Sequence, residues 1–145
     1  MAFDISMDVQ IRAFTVDDYD RAIELWNSEE NVGLGPSDTR CSIALFLKRN
    51  PGLSKVMAID GIVVATLLCG HDGRRGYLYH LCVDKRHRRK SVGRRLVDAC
   101  LSELKRAGIQ KCHLFVFDRN QPGKSFWAAT AWSQRTDIEV FSKDT

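Results

Sequence analysis

The chain has 145 residues, room for one domain and not for two. With 44% hydrophobic residues, 28% charged residues and three prolines, it has a globular make-up that excludes disordered, collagen-like and membrane-spanning classes. Such a domain buries roughly 70% of the surface its unfolded chain exposes, enough for a core without metals or disulfides. Its 22 basic and 18 acidic residues leave a net charge of +4, and that excess is concentrated in one place.

Lys85-Arg86-His87-Arg88-Arg89-Lys90-Ser91-Val92-Gly93-Arg94-Arg95 holds seven Lys and Arg and no acid. Without those seven, 15 basic residues face 18 acidic ones, a net of −3. The body is mildly acidic and carries one basic segment, of the kind that meets phosphate, nucleic acid or an acidic surface. Five cysteines (Cys41, Cys69, Cys82, Cys100, Cys112) form no CxxC pair and are odd in number. That argues against a disulfide framework or zinc site and for reduced core thiols in a cytoplasmic protein. Residues 1–8 include Asp4 and Asp8 and lack the basic and apolar parts of a signal peptide, so they read as an extension before a domain at 9–145. The longest apolar run, Ile62 to Cys69, is too short to cross a bilayer, and no membrane partner is expected.

In chain order, Val9 to Val16 suits a first strand. Thr15-Val16-Asp17-Asp18 forms a capping box that starts a helix burying Ala22, Ile23, Leu25 and Trp26. After a glycine-containing loop, Ser37 is placed to cap a second helix through Ile43, Phe46 and Leu47, which Asn50-Pro51-Gly52 stops. Lys55 to Ile59 and Ile62 to Leu68 are β-branched and joined by Asp60-Gly61, a type I′ hairpin signal. Tyr77 to Val83 is a further strand. Val92, Leu96, Cys100, Leu104 and Ala107 then recur at helical spacing, with Gly108 as the C′ residue. Cys112 to Phe117 reads as a strand buried on both faces. Asn120 caps a short helix with Pro122 in its first turn, and Asp137 to Phe141 alternates as a last strand. The order β-α-α-β-β-β-α-β-α-β describes one α/β domain built on a mixed sheet.

A strand, a basic glycine-containing loop and an amphipathic helix make a phosphate site on physical grounds. The first helical N–H groups have no intrahelical acceptors and the dipole there favours an anion. Arg88, Arg89, Lys90 and Arg94 add charge-assisted donors. A nucleic acid is a poorer partner, because the segment lacks interleaved aromatics and the remaining chain is net acidic.

The run from Val83 to Leu96 resembles motif A of the GNAT-type N-acetyltransferases, Q/R-x-x-G-x-G/A, five residues beyond a strand-ending valine. Arg88 matches its first position and Gly93 its last, while Ser91 stands where the middle glycine is expected. Downstream, Asn120, Gly123, Phe126 and Trp127 fit the spacing N-x-x-A-x-x-F-Y, and Ala131-Trp132 stand where the family often shows Gly-Phe. The resemblance implies a mixed, mainly antiparallel central sheet flanked by helices. It also implies an acetyl-CoA co-substrate, no metal, and a small-molecule or protein amine as acceptor. The backbone amides of Arg89, Lys90, Ser91, Val92, Gly93 and Arg94 would cradle the pyrophosphate. Leu81, Cys82 and Val83 would pair with the pantetheine arm, with an amide near Val83 facing the thioester oxygen. Asn120 would touch the pantetheine, and Phe126 and Trp127 would flank the thiol.

Direct attack by an amine needs a base, since an amine of pKa about 10.4 is only about one part in 2,500 neutral at pH 7. Tyr77 stands about where some family members carry glutamate, His80 has a suitable intrinsic pKa, and a base acting through water is a third route. Trp127 replaces the tyrosine that often protonates the thiolate, and an indole N–H does not titrate usefully. Either the thiolate leaves unassisted or Tyr79 supplies the proton. The alternative is a GNAT-fold protein that binds coenzyme A or acyl-CoA with little turnover. Monomer and homodimer both fit, an exposed last strand offering a pairing edge.

Overall fold

The hairpin signal Asp60-Gly61 folds as its chemistry dictates: the two residues have φ of 50° and 81°, the pair of left-handed conformations a type I′ turn needs. In the computed structural model, which describes residues 7–145, that turn joins β2 (Lys55–Ile59) to β3 (Ile62–His71). Residues 1–6 of the expected extension lie outside the described residues. Around this hairpin stand β1 (Val9–Ala13), α1 (Tyr19–Asn27), α2 (Arg40–Arg49), β4 (Gly76–Val83), α3 (Val92–Arg106), β5 (Cys112–Leu114) and α4 (Gln121–Ala129). The chain divides into two compact units, one reaching to Phe115 and the other Val116–Thr145.

In the first unit the sheet runs β1-β2-β3-β4-β5, antiparallel except for the parallel β4–β5 pair. β3 is buried from Val63 to Gly70, which explains its unbroken apolar run: α1 and α2 cover one face and α3 the other. The first face holds Phe14, Ala22, Leu25, Trp26, Ile43 and Val56, and Leu96, Cys100 and Leu104 of α3 are buried as well. Close approach of α3 needs Gly76, where a Cβ would lie 2.6 Å from a Leu104 methyl.

The capping box at Thr15 forms, through a 3₁₀ turn Val16–Asp18 that precedes α1. Asp18 accepts the Thr15 N–H at 2.9 Å and both Arg12 terminal nitrogens at 2.8 Å. The second helix is capped differently from the expectation. Asp38 folds back onto the Gly35 N–H at 2.9 Å and closes a 3₁₀ turn, Pro36–Asp38, that absorbs Ser37. The helix therefore starts later, where Thr39 accepts the Ser42 N–H at 3.1 Å.

Two strand expectations are corrected. β5 ends at Leu114, and Phe115 is 61% exposed rather than buried on both faces. As the edge strand it has a neighbour on one side, for three residues. In the second unit Asp137–Phe141 forms no strand: Ile138, Val140 and Phe141 are exposed. Alternation specifies which side chains share a face, but a strand also requires a ladder of hydrogen bonds to a neighbouring backbone. That unit's one helix, α4, begins at Asn120, whose Oδ1 accepts the Gly123 N–H at 2.9 Å.

Candidate active site

The site is built where β4 leaves β5. The two strands pair only at Gly76–Cys112, Tyr77–His113 and Leu78–Leu114. Beyond Leu78, β4 stays bonded to β3 as far as Val83 and, among the described residues, has no strand on its other side. The backbone of Leu81, Cys82 and Val83 thus carries an edge that pairs with no strand among the described residues, just before α3. Cys82 contributes backbone only: its Sγ–H donates to the Leu25 carbonyl at 3.4 Å, and burial pushes the thiol up to about 11, away from thiolate chemistry.

The basic segment follows at once. Asp84 accepts from the Arg86 N–H at 3.0 Å and pairs with Arg21 at 3.0 Å, in that order holding its carboxyl below the usual range. A 3₁₀ turn over Lys85–His87 leads to the start of α3. Arg89 and Ser91 both lie in the left-handed region, with φ of 63° and 60°. Ser91 is the residue before the helix and its side chain makes no capping bond. The preferred glycine at this position thus has a backbone reason: an L-residue held there carries strain of roughly 1–2 kcal/mol. Arg95 is the first residue of the turn whose N–H reaches a helical acceptor, the Ser91 carbonyl at 3.0 Å. The amides of Val92, Gly93 and Arg94 precede it and lie at the positive end of a 15-residue helix.

Arg88 is committed elsewhere. Its Nε donates to the Val83 carbonyl at 3.2 Å and its guanidinium pairs with Glu29, which lies just beyond α1. It braces the loop against the first helical layer, leaving Arg89, Lys90 and Arg94 exposed around the helix start.

His80 sits on the same stretch of β4. The register slips between Thr66 and Leu68 of β3, so β4 carries an extra residue there, and His80 takes φ 54°. The bulge turns Tyr79 and His80 toward the same helical layer, where Tyr79 meets Phe46 at 6.2 Å and His80 meets Trp26 at 4.9 Å between ring centroids. Thr66 receives the Trp26 indole N–H at 2.9 Å and donates to the His80 carbonyl at 3.3 Å. A non-glycine residue in this conformation costs about 1–3 kcal/mol and persists because its surroundings hold it.

The partner of His80 is Asp38. Nε2 lies 2.7 Å from Asp38 Oδ1, and the two side chains are 15% and 9% exposed. A carboxylate only accepts, so Nε2 carries a proton toward Asp38 and the lone pair of a neutral imidazole would lie on Nδ1. No partner of Nδ1 occurs among the described residues, and Nδ1 is not enclosed as a buried unsatisfied atom. Asp38 is itself fixed, by Gly35 at Oδ2 and by the Tyr19 hydroxyl donating to its carbonyl at 2.7 Å. Sequence reading missed Asp38: 42 positions separate it from His80, and its only local role is closing a turn. Burial, followed by the charge of Tyr77, pushes the Tyr79 phenol up. It stays protonated at neutral pH and gives up its proton less readily.

Asn120, Phe126 and Trp127 lie together on or at the start of α4 in the second unit. Asn120 is the helix cap, Phe126 and Trp127 meet edge to face at 4.9 Å, and Trp127 meets Trp132 at 5.1 Å. Ala131 ends this helix at φ 72°, with the Trp132 N–H on the Trp127 carbonyl at 3.0 Å. This is a Schellman ending, which again favours glycine.

Such an open strand edge beside a cationic helix start suits a coenzyme-dependent transferase, and comparison with known proteins gives the class. A sequence model of the acetyltransferase (GNAT) family matches residues 15–131, and the chain belongs to that family. An acetyltransferase of Pectobacterium atrosepticum is 32% identical over 113 residues, 77% of this chain and 79% of the relative. Among solved structures, Ard1 from Thermoplasma volcanium has a TM-score of 0.75 at 22% identity, over 85% of this chain and 81% of that one. The PaiA N-acetyltransferase of Thermoplasma acidophilum, in complex with coenzyme A, has a TM-score of 0.70 at 16% identity, covering 85% and 88%. Among the described residues no helix is long and apolar enough to cross a membrane.

Proposed function

We propose that the protein transfers an acetyl group from acetyl-CoA to a primary amine, with His80 as the base. The observation that carries this reading is the parting of β4 from β5 after Leu78, directly upstream of a helix start whose first amides are free and ringed by cations. The residues fit the coenzyme. The amides of Val92, Gly93 and Arg94 suit its pyrophosphate, with Arg89, Lys90 and Arg94 as cationic donors. The unpaired side of Leu81–Val83 suits its amide-bearing arm. Because the Val83 carbonyl is held by Arg88, Leu81 and the Val83 N–H carry that pairing. The motif is the ground for proposing Asn120, Phe126 and Trp127 as further coenzyme contacts.

In the reaction the amine nitrogen forms a bond to the thioester carbon, its proton passes to Nδ1 of His80, and the carbon–sulfur bond breaks with its electron pair on sulfur. Asp38 holds the imidazole in the tautomer that accepts and stabilises the cation that forms. The thiolate leaves unassisted, as a pKa of about 8.5 permits. The raised phenol of Tyr79 makes it the poorer donor. His80 is oriented by Asp38 at 2.7 Å, whereas Tyr77 is a phenol that must first lose its own proton, so His80 is the better base. No metal is required, and the protein acts in the cytoplasm as a monomer or homodimer.

Titration with acetyl-CoA and an amine panel tests this. Acetyl-CoA at a hundred times its Kd should stabilise the fold by about 2.7 kcal/mol, and amines should then release free thiol. No thermal shift at millimolar acetyl-CoA overturns the coenzyme reading. A shift without thiol release from any amine leaves the alternative of a coenzyme-binding protein.

A further inference from the structure

The face of the sheet that carries His80 also carries a row of rings. Tyr77 lies 6.5 Å from Tyr79 and 6.4 Å from Phe115, with interplanar angles of 20° and 17°. His113 flanks the row, 5.9 Å from Tyr77. α2 covers only one end, where Phe46 meets the edge of Tyr79. Tyr79 and Phe115 remain 39% and 61% exposed. The row is continuous with the proposed base, since the bulge brings Tyr79 and His80 to one face.

Charge decides what this ledge can hold. Carboxylates of the neighbouring helical layer already have partners: Asp20, Glu24 and Glu29 are each in an ion pair with an arginine, and Asp38 is bound to the His80 ring. An acceptor with a second ammonium group would find little there to neutralise it. A single amine joined to an apolar group matches both features, its body lying against the rings and its nitrogen directed to His80.

Resting on the acetyltransferase reading, we infer that Tyr77, Tyr79 and Phe115 seat the apolar body of the acceptor, which is an amine bearing an aryl or alkyl group close to the nitrogen and not a polyamine. The carbons pack on ring faces and, before deprotonation, the ammonium is attracted to the same faces.

The experiment compares 2-phenylethylamine with spermidine at saturating acetyl-CoA, in wild type and Phe115→Ala, with acetyl-CoA binding titrated separately. Phe115 is largely exposed, so the variant should fold, which a thermal melt verifies. The expected result is a kcat/KM for 2-phenylethylamine at least about tenfold above that for spermidine. Phe115→Ala should raise its KM about tenfold, with the affinity for acetyl-CoA unchanged. Preference for spermidine, no use of 2-phenylethylamine, or a KM indifferent to Phe115→Ala overturns the ledge while coenzyme binding stands. Failure to bind acetyl-CoA overturns the acetyltransferase reading, and the ledge with it. Should Phe115→Ala melt early, Phe115→Leu replaces it, and an unchanged KM in that variant counts against the proposal equally.

Discussion

Between Arg88 and Ser91 the chain exposes every side chain and twice adopts a left-handed backbone, while around His80 one strained residue is enclosed by a ring, a hydroxyl and a carboxylate. The first region gets its chemistry from local features: consecutive amides at a helix start and cations adjacent in sequence. The second gets it from residues on four different segments, Tyr19 and Trp26 of α1, Asp38, Thr66 and His80, that meet only through packing. Coenzyme phosphates suit the first kind of site because an anion is stabilised by summed, exposed donors. A base suits the second, because it needs one fixed tautomer and orientation.

The comparison breaks most sharply at His80. His80→Ala should lower kcat by about 10²- to 10⁴-fold and leave acetyl-CoA affinity within twofold in a binding titration; equal losses in both would merge the two regions into one. Asp38→Asn keeps the shape and removes the fixed acceptor, and should cost about 10- to 100-fold in kcat with little change in acetyl-CoA affinity. In the His80→Ala background it should cost nothing further, which a purely structural role for Asp38 would not produce.

In the loop the expected losses are smaller and spread out. Arg94→Ala should weaken acetyl-CoA about tenfold, as loss of one charged hydrogen bond implies, and the effect should shrink at high salt. A kcat loss at saturating acetyl-CoA would instead place Arg94 in the chemistry.

Ser91→Gly and Ala131→Gly test backbone strain alone. Each should stabilise by about 0.5–1 kcal/mol, the left-handed strain relieved less the entropy glycine adds to the unfolded chain, visible as a raised urea midpoint.

The smallest effects belong to single carboxylates. Burial pushes Asp18 up, but the Arg12 and Thr15 hydrogen bonds outweigh it, and Asp84 is held low by Arg86 and Arg21. Both therefore contribute stability that is complete above the unfolded value of about 3.9 and is lost as pH falls through the lowered folded values. Asp84→Asn should flatten the acid limb of a stability profile and leave the neutral limb's slope unchanged.

Features bonded within a few positions are legible in the sequence: the Thr15 capping box, the Asp60-Gly61 turn, Gly108 after α3, and the basic helix start proposed for the coenzyme. Caps and turns are short-range hydrogen bonds, so their residues carry the signal themselves. Ser37 shows the boundary. A better local bond, from the Gly35 N–H to Asp38, moved the cap to Thr39.

By itself, then, the sequence determined the family and its strand-loop-helix motif, because every residue of that motif lies in one contiguous run. Only the tertiary structure decided that β5 stops at Leu114 and parts from β4 there, that Arg88 turns to Glu29, and that His80 meets Asp38. Each of these depends on which segments pack side by side, and no local pattern encodes a neighbour 42 residues away.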